Sequence, residues 1–291
     1  MPDSKTDAGN VGTGGQIVAW VVLLFFLIFL CLLPFLIGGV SLSGLGKLSP
    51  SSPLFALCIA GFTFVGYTPT LSALLIAGLF PGGGGVRSVL RQVRTWRVSI
   101  GWYAIAVFGP AVLFLLDEAV NLALGGSPPQ RWIVLPPFSG FFPGSLFFSV
   151  MGVLAGTFGE EFGWRGFAQP RLQKLCGALQ ASILIGLVWG TFHLWILPIC
   201  HCMSLTDVIV TQYLRLIATA VIYAWIYNST KGSLFLVMVA HAAHNVTVGL
   251  MPMVGGGAVI VALSYVAVAI VVVLMTDPRT LTRSKVPRDP N

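Results

Sequence analysis

The chain has 291 residues, with 16 Lys and Arg, 9 Asp and Glu, and a formal net charge of +7. Only 9% of its residues are charged and 56% are hydrophobic, and its mean hydropathy is +0.90. Soluble domains carry about 25% charged residues, so this composition excludes a soluble globular domain. We predict an all-α, polytopic integral membrane protein, and no fold signature accompanies the basic charge to suggest nucleic-acid binding.

Apolar runs between helix breakers predict eight spanning helices, because a stretch of about 20 mostly apolar residues crosses a bilayer. The predicted spans are residues 16–40, 53–80, 99–123, 143–164, 177–200, 205–227, 231–252 and 256–275. They divide the chain into a polar tail (1–15), N-terminal spans (16–142), a helical core (143–252), a last span (253–276) and a basic tail (277–291). The first span is too long for the apolar core of a signal peptide, so we expect it to be retained.

Lys and Arg concentrate in alternate connections between the predicted spans. The predicted outer loops hold only Lys47 and Arg131, which under the positive-inside rule places both termini in the cytoplasm. Residues 86–97, "VRSVLRQVRTWR", put apolar side chains on one helical face and arginines on the other. This pattern is typical of a helix in the membrane interface, and a solvated basic connector would show it equally. We interpret the positive net charge as a result of the membrane topology, with the basic residues in contact with anionic lipids.

A few polar side chains fall within the predicted spans, where burial without a partner is costly and function is the default hypothesis. Glu161 and Arg165 are four residues apart, so they share a helix face and can form an ion pair. Glu160 is rotated by about 100° from Glu161 and is left for another role. A carboxylate in such a poorly solvated place suits a general base or acid.

Other polar residues in the spans receive mostly structural interpretations. His241 and Asn245 are four apart and form a second polar pair, whereas His244 is interpreted as an accessory or packing residue. Arg215 is predicted to pair with a carboxylate. Asp117 and Glu118 are placed in the outer headgroup zone, with no chemistry implied.

Three short motifs follow one another on three predicted spans: "EEFGWRGF", then "WGTFH", then "TKGSLFLVMVAHAAHN". Together they resemble the signature of the CAAX protease and bacteriocin-processing (Abi) family of intramembrane endopeptidases, which includes the type II CAAX prenyl proteases. That signature is E-E-x-x-x-R, F-x-x-x-H and H-x-x-x-N, and the chain departs from it at Trp189, where phenylalanine is usual. The resemblance covers residues of about 150 to 250.

The resemblance implies hydrolysis of peptide bonds within the membrane. Glu160, helped by His193, would take a proton from water, and His241 and Asn245 would donate hydrogen bonds to the developing oxyanion. Glu161 and Arg165 would support the structure, and Trp189 would pack. No cofactor is required in this scheme, and the expected partners are membrane lipids and a peptide or lipidated protein, with no nucleic acid.

Three alternative interpretations of these residues remain open at this point. A zinc-assisted protease would use Glu160, His193 and His241 as ligands, although the H-E-x-x-H pattern of soluble zinc proteases is absent. A transporter or proton-coupled channel would use the same polar residues as a relay, and a non-catalytic immunity or scaffold protein would keep only the fold. The identity of the substrate and its prenylation are also open.

Overall fold

The computed structural model of the protein describes residues 12–80, 84–130, 132–133, 152–200, 208–251 and 257–283. Within these ranges the regular structure is helical, apart from an isolated bridge between Asp277 and Thr282. The all-α prediction is therefore confirmed. Arg131, the start of the span predicted at 143–164 and most of the two predicted tails lie outside the described residues.

The described residues form helices α1 to α10. Their bounds are Thr13–Gly38 (α1), Pro53–Val65 (α2), Thr68–Leu79 (α3), Gly85–Leu90 (α4), Ile100–Ala123 (α5), 152–176 (α6), Ala178–His193 (α7), 208–229 (α8), Leu234–Leu250 (α9) and Gly257–Met275 (α10). Short turns of helix follow α1 at Leu42–Lys47, α4 at Arg91–Arg94 and α7 at Leu194–Ile196 and Leu197–Cys200. The wider π-helical geometry occurs at Ala155–Glu160 and Phe162–Ala168 in α6 and at Val208–Tyr213 in α8.

Helix α1 shows why the chain is an integral membrane protein. One stripe of α1 is buried, with Trp20, Leu24 and Ile28 recurring every four residues, but only 22% of its most apolar window is buried in the protein. The remaining faces expose large apolar side chains, which lipid rather than water accommodates. Among the described residues, three helices are long and apolar enough to cross a bilayer, or four if one bent pair counts as a span. The count of eight spans stays a prediction.

The span predicted at 53–80 is not one straight helix, because two helices occupy these residues. Helices α2 and α3 meet at an angle of 69°. Pro69 lies in the first turn of α3, where its missing N–H costs no helical hydrogen bond, and its carbonyl accepts a hydrogen bond from Trp20 Nε1 at 3.1 Å. The bend also brings Gly66 against α6, so closely that a Cβ on Gly159 would collide with the Gly66 carbonyl.

The basic segment 86–97 forms a shorter helix than predicted. Helix α4 and the turn Arg91–Arg94 cover only residues 85–94, and Val89 is fully buried. Gln92 Nε2 donates to the Gly166 carbonyl at 2.8 Å, and Tyr227 donates its hydroxyl to Gln92 Oε1 at 2.5 Å. The segment therefore packs against α6 and α8, which excludes a merely solvated connector.

Helix α6 extends beyond residue 164, where the predicted span ends. Helical structure continues past Arg165 to Cys176, and Pro170 lies at the start of the last α-helical segment instead of interrupting the helix. The π-helical turns before it shift side chains relative to ordinary 3.6-residue spacing, a feature often found at functional sites. Helices α3, α7 and α9 surround this part of α6.

Candidate active site

The carboxylate of Glu160 is held by two tryptophans. Its Oε2 atom accepts hydrogen bonds from Trp164 Nε1 at 3.1 Å and from Trp189 Nε1 at 2.5 Å. Its Oε1 atom has no hydrogen-bond partner among the described residues, and Glu160 lines the main cavity. Indole is a pure donor, so the two rings fix one oxygen and leave the other free to meet a ligand in the cavity.

Glu161 lies at the centre of a buried charge cluster. Its Oε1 atom is 3.1 Å from Arg165 Nη1 and 2.8 Å from His241 Nδ1. Glu161 and Arg165 are both 0% exposed. The ion pair expected from their spacing is therefore present, and Glu161 also binds a histidine on α9 that sequence spacing could not connect to it.

Aromatic rings enclose the guanidinium of Arg165. Its Cζ atom lies 4.5 Å from the centroid of the Trp189 ring and 5.0 Å from that of Tyr223. Contacts of this kind stabilise a desolvated cation through the negative face of the ring. Trp189 thus contacts two residues of the E-E-x-x-x-R motif. Its N–H reaches Glu160, and its ring face covers Arg165.

The hydrogen bond of His193 determines which ring nitrogen is free. His193 Nδ1 lies 2.9 Å from the backbone carbonyl of Trp189, which can only accept, so Nδ1 carries the proton. In the neutral ring the lone pair is then on Nε2. His193 lines the same cavity as Glu160, and Nε2 is the nitrogen available for proton transfer.

His241 and Asn245 face α6 at a glycine. A Cβ atom on Gly156 would lie 3.0 Å from His241 Nε2 and would collide with Asn245 Nδ2. Asn245 Nδ2 also donates to the Gly152 carbonyl at 3.3 Å, which occupies one of its two N–H groups. Gly156 therefore permits the close approach of α6 to α9 at the site, a role that the sequence interpretation missed.

The structure brings the predicted catalytic residues to one cavity of about 630 Å³. Its lining includes Glu160, His193, His241 and Asn245, together with the predicted support residue Trp189. The cavity is also lined by Arg215 and His244, for which no catalytic role was predicted. Convergence from α6, α7, α8 and α9 is what a site built between packed helices requires.

The structure changes the interpretation of two outlying polar sites. The carboxylate partner predicted for Arg215 is not found among the described residues; Arg215 binds His244 Nε2 at 3.3 Å and Gln212 Oε1 at 3.2 Å instead. Packing of α5 against α9 and α10 leaves Asp117 and Glu118 only 2% and 1% exposed, and their place in the outer headgroup zone stays a prediction. Helical periodicity does not say which face a neighbouring helix will cover.

The residues of the zinc alternative do not form a ligand set. In the described part of the chain, no three His, Cys, Asp or Glu side chains are grouped closely enough to hold a metal ion. Glu160 Oε2 is occupied by two N–H donors, and His241 Nδ1 is occupied by Glu161. The geometry does not fit a zinc ion at Glu160, His193 and His241, and no chemical step is routed through one here.

Comparison with known proteins agrees with the motifs. Residues 142–247 match the family model described as type II CAAX prenyl endopeptidase Rce1-like. Residues 142–247 are therefore similar to an Rce1-like domain. The matched segment contains all three motifs on α6, α7 and α9, so the family resemblance predicted from them is confirmed.

A curated relative also matches the chain. The chain is 31% identical over 147 residues to CAAX prenyl protease 2 of Methanococcus maripaludis (strain S2), and the match covers 47% of this chain and 51% of the relative. The chain thus spans about half the length of the curated relative that it matches. Both names describe CAAX prenyl proteases.

Proposed function

We propose that the protein is a membrane-embedded endopeptidase that hydrolyses a peptide bond of a membrane-associated substrate. The observation that carries this proposal is the convergence of Glu160, His193, His241 and Asn245 on one cavity. The family match and the relative's name extend the proposal to a prenylated, CAAX-type C-terminal substrate. A mostly apolar lining that includes Phe62 and Phe192 suits a lipid-linked peptide.

Glu160 is the proposed general base. A water molecule in the cavity would lie against Glu160 Oε1 and His193 Nε2. Neither acceptor atom has a hydrogen-bond partner among the described residues. Glu160 would take one proton from this water, and the resulting hydroxide would attack the carbonyl carbon of the scissile bond. The same proton would then pass to the departing amine, so that one water molecule is consumed for each bond broken.

Asn245 and His241 are the proposed oxyanion donors. Asn245 has a second N–H beyond the one bound to the Gly152 carbonyl. His241 can donate from Nε2 only as an imidazolium, because its Nδ1 proton faces Glu161. The Glu161 carboxylate at 2.8 Å stabilises that charged form, and each prearranged donor is worth about 3 kcal/mol to an oxyanion transition state.

Glu161 is proposed as more than a partner for Arg165. It compensates Arg165 permanently and His241 whenever that ring is protonated, since both contact the same Oε1 atom. Compensation matters because an unpaired buried charge is strongly destabilising. Glu161 therefore connects the rigidity of α6 to the charge state of the oxyanion donor on α9.

The test uses protein reconstituted in lipid nanodiscs and a peptide with an S-farnesylated cysteine near its free C-terminus. Glu160→Gln, which keeps the shape and loses the base, should lower kcat by about 10²- to 10⁴-fold. Glu118→Gln is the matched control, because Glu118 is equally buried but lies outside the cavity lining. Mass spectrometry of the products gives both the rate and the cleaved bond. Unchanged cleavage by Glu160→Gln would refute the assignment of the base.

A further inference from the structure

Arg215 lines the cavity from a different helix than the proposed base. It is on α8, whereas Glu160 is on α6, and both side chains line the same cavity. Arg215 is half-buried. The mechanism above does not use this guanidinium, so its presence at the wall of an apolar cavity needs its own explanation.

The described hydrogen-bond partners of Arg215 are two uncharged acceptors. Its Nη2 atom donates to Gln212 Oε1 at 3.2 Å, and Nη1 lies 3.3 Å from His244 Nε2. Guanidinium can only donate, so His244 Nε2 must be the acceptor in this contact and Nδ1 must carry the proton of a neutral ring. His244 Nδ1 in turn donates to the Tyr265 hydroxyl oxygen at 2.7 Å.

This chain of hydrogen bonds orients Arg215 without neutralising it. Gln212, His244 and Tyr265 hold the guanidinium from the protein side, yet no carboxylate among the described residues lies within 4 Å of it. Arg165 provides the contrast, since the Glu161 carboxylate pairs with it directly. A guanidinium has five N–H donors in a planar fork, and its two contacts with described residues leave donors for an anion in the cavity.

We propose that Arg215 binds a carboxylate of the substrate, namely the free carboxyl group at the C-terminus of the peptide being cut. This inference rests on the proposed peptidase function and adds a recognition site to it. Arginine and carboxylate form a paired, charge-assisted contact that is stronger than a neutral hydrogen bond, and the poorly solvated cavity wall strengthens it further. The ligand would supply the compensating negative charge that no described carboxylate supplies.

The consequence is a fixed register of cleavage. The positions of Arg215 on α8 and Glu160 on α6 are set by helix packing, so a peptide anchored at its terminal carboxylate presents the same bond to the base each time. An internal segment of a longer chain has no carboxylate at that position. Arg215 would therefore make the site selective for chain ends.

The test compares two peptides that differ only at the C-terminus, one ending in a free carboxylate and the other in a carboxamide. Equilibrium binding of fluorescent versions is measured first, followed by cleavage, with the protein in phosphatidylcholine nanodiscs. We expect the wild-type protein to bind the free acid about tenfold or more tightly than the amide, as for other hydrogen bonds to charged groups. Arg215→Gln should bind both peptides with the wild-type affinity for the amide.

Two further variants separate recognition from folding. Arg171→Gln is the matched control, because Arg171 contacts Gln16 and the Phe167 carbonyl outside the cavity lining, and it should keep the preference for the acid. Arg215→Lys keeps the charge but loses the planar fork, and we expect a preference between those of the wild type and Arg215→Gln.

The outcomes distinguish this inference from the peptidase proposal. Equal binding of acid and amide by the wild-type protein would overturn the inference whatever the variants do, as would a preference that survives in Arg215→Gln. A preference that vanishes when phosphatidylglycerol is added would assign the site to a lipid phosphate and also overturn it. Preferential binding of the acid without any cleavage would support Arg215 recognition and count against the peptidase.

Discussion

Two pairs of adjacent acidic residues are buried in this protein, and they differ in what surrounds them. Glu160 and Glu161 on α6 are 7% and 0% exposed, and Asp117 and Glu118 on α5 are 2% and 1% exposed. The first pair accepts hydrogen bonds from two indoles, an arginine and a histidine. In the second pair, Asp117 lies near Ser264 on α10, and the carboxylate oxygens of Glu118 have no hydrogen-bond partner among the described residues.

The contrast shows that burial and adjacency alone do not define a site. Around α6, helices α7 and α9 supply donors that fix each carboxylate in a distinct role. Around α5, the packing of α9 and α10 covers the acids and brings Ser264 near Asp117, but no described residue donates a hydrogen bond to Glu118. The number and identity of the partners, rather than the acidic residues themselves, mark the candidate site.

The largest effect on stability is expected from Glu161→Gln. This change leaves the Arg165 guanidinium fully buried without its carboxylate, which costs about 3–5 kcal/mol of unfolding free energy for a broken buried pair. Unfolding of the detergent-solubilised protein, followed by circular dichroism, measures the loss. The double variant Glu161→Gln/Arg165→Gln is the control and should recover part of it. A single variant as stable as the wild type would show that the pair is not a clamp.

Gly156→Ala is expected to lower kcat by about 100-fold or more, the cost of losing an oxyanion donor. The new Cβ would displace Asn245 and crowd His241, although alanine by itself favours a helix over glycine by about 1 kcal/mol. Gly101→Ala on α5 is the control, because a Cβ there meets nothing within 4 Å. If both variants cleave peptide at the wild-type rate, α6 does not position the donors on α9.

Trp189→Phe installs the residue usual in the family and removes the N–H that reaches Glu160. Hydrogen bonds to charged groups are worth about 1.5–3 kcal/mol, so kcat should fall by about tenfold or more, while KM changes little. The phenyl ring can still cover Arg165, which limits the loss of stability. Trp225→Phe, a ring that packs on Trp102 at 4.8 Å, serves as the control. A change in KM with an unchanged kcat would contradict a role of Trp189 in positioning the base.

The smallest effect is expected at the second acidic pair. Asp117→Asn affects at most a weak contact with Ser264, and Glu118→Gln removes no hydrogen bond from a described residue, so each should change the unfolding free energy by less than about 1 kcal/mol and leave kcat near the wild-type value. Kinetics and thermal unfolding of both variants check this. A large loss of activity in either variant would erase the contrast between α5 and α6 and point to a second functional centre.

Much of the site could be predicted from the sequence because it follows from spacing within one helix. The Glu161–Arg165 pair is an i, i+4 contact, and Glu160 points elsewhere for the same geometric reason. Contacts between helices were beyond this reasoning. Trp189 was interpreted as packing, yet its indole donates to Glu160. An N–H donor where the family usually has phenylalanine was the signal that could have revealed this.

The errors in the fold have the same physical origin. Residues 53–80 are apolar throughout, so hydropathy alone indicates one span, but the contacts of Pro69 and Gly66 with α1 and α6 hold two helices at 69°. Likewise, nothing in the local sequence of α5 says that α9 and α10 will cover Asp117 and Glu118. Local patterns describe a helix and its faces, whereas neighbouring helices decide which faces are used.

The sequence by itself determined that the chain is an apolar, helical membrane protein and that three motifs lie in order on three helices. It determined this because composition sets the solvent and because the helical period sets which side chains share a face. The contacts between helices had to come from the tertiary structure: His241 binds Glu161, two indoles hold Glu160, and Arg215 lines the cavity with no described carboxylate within 4 Å. Those contacts join residues up to 80 positions apart, and close packing of helices alone selects them.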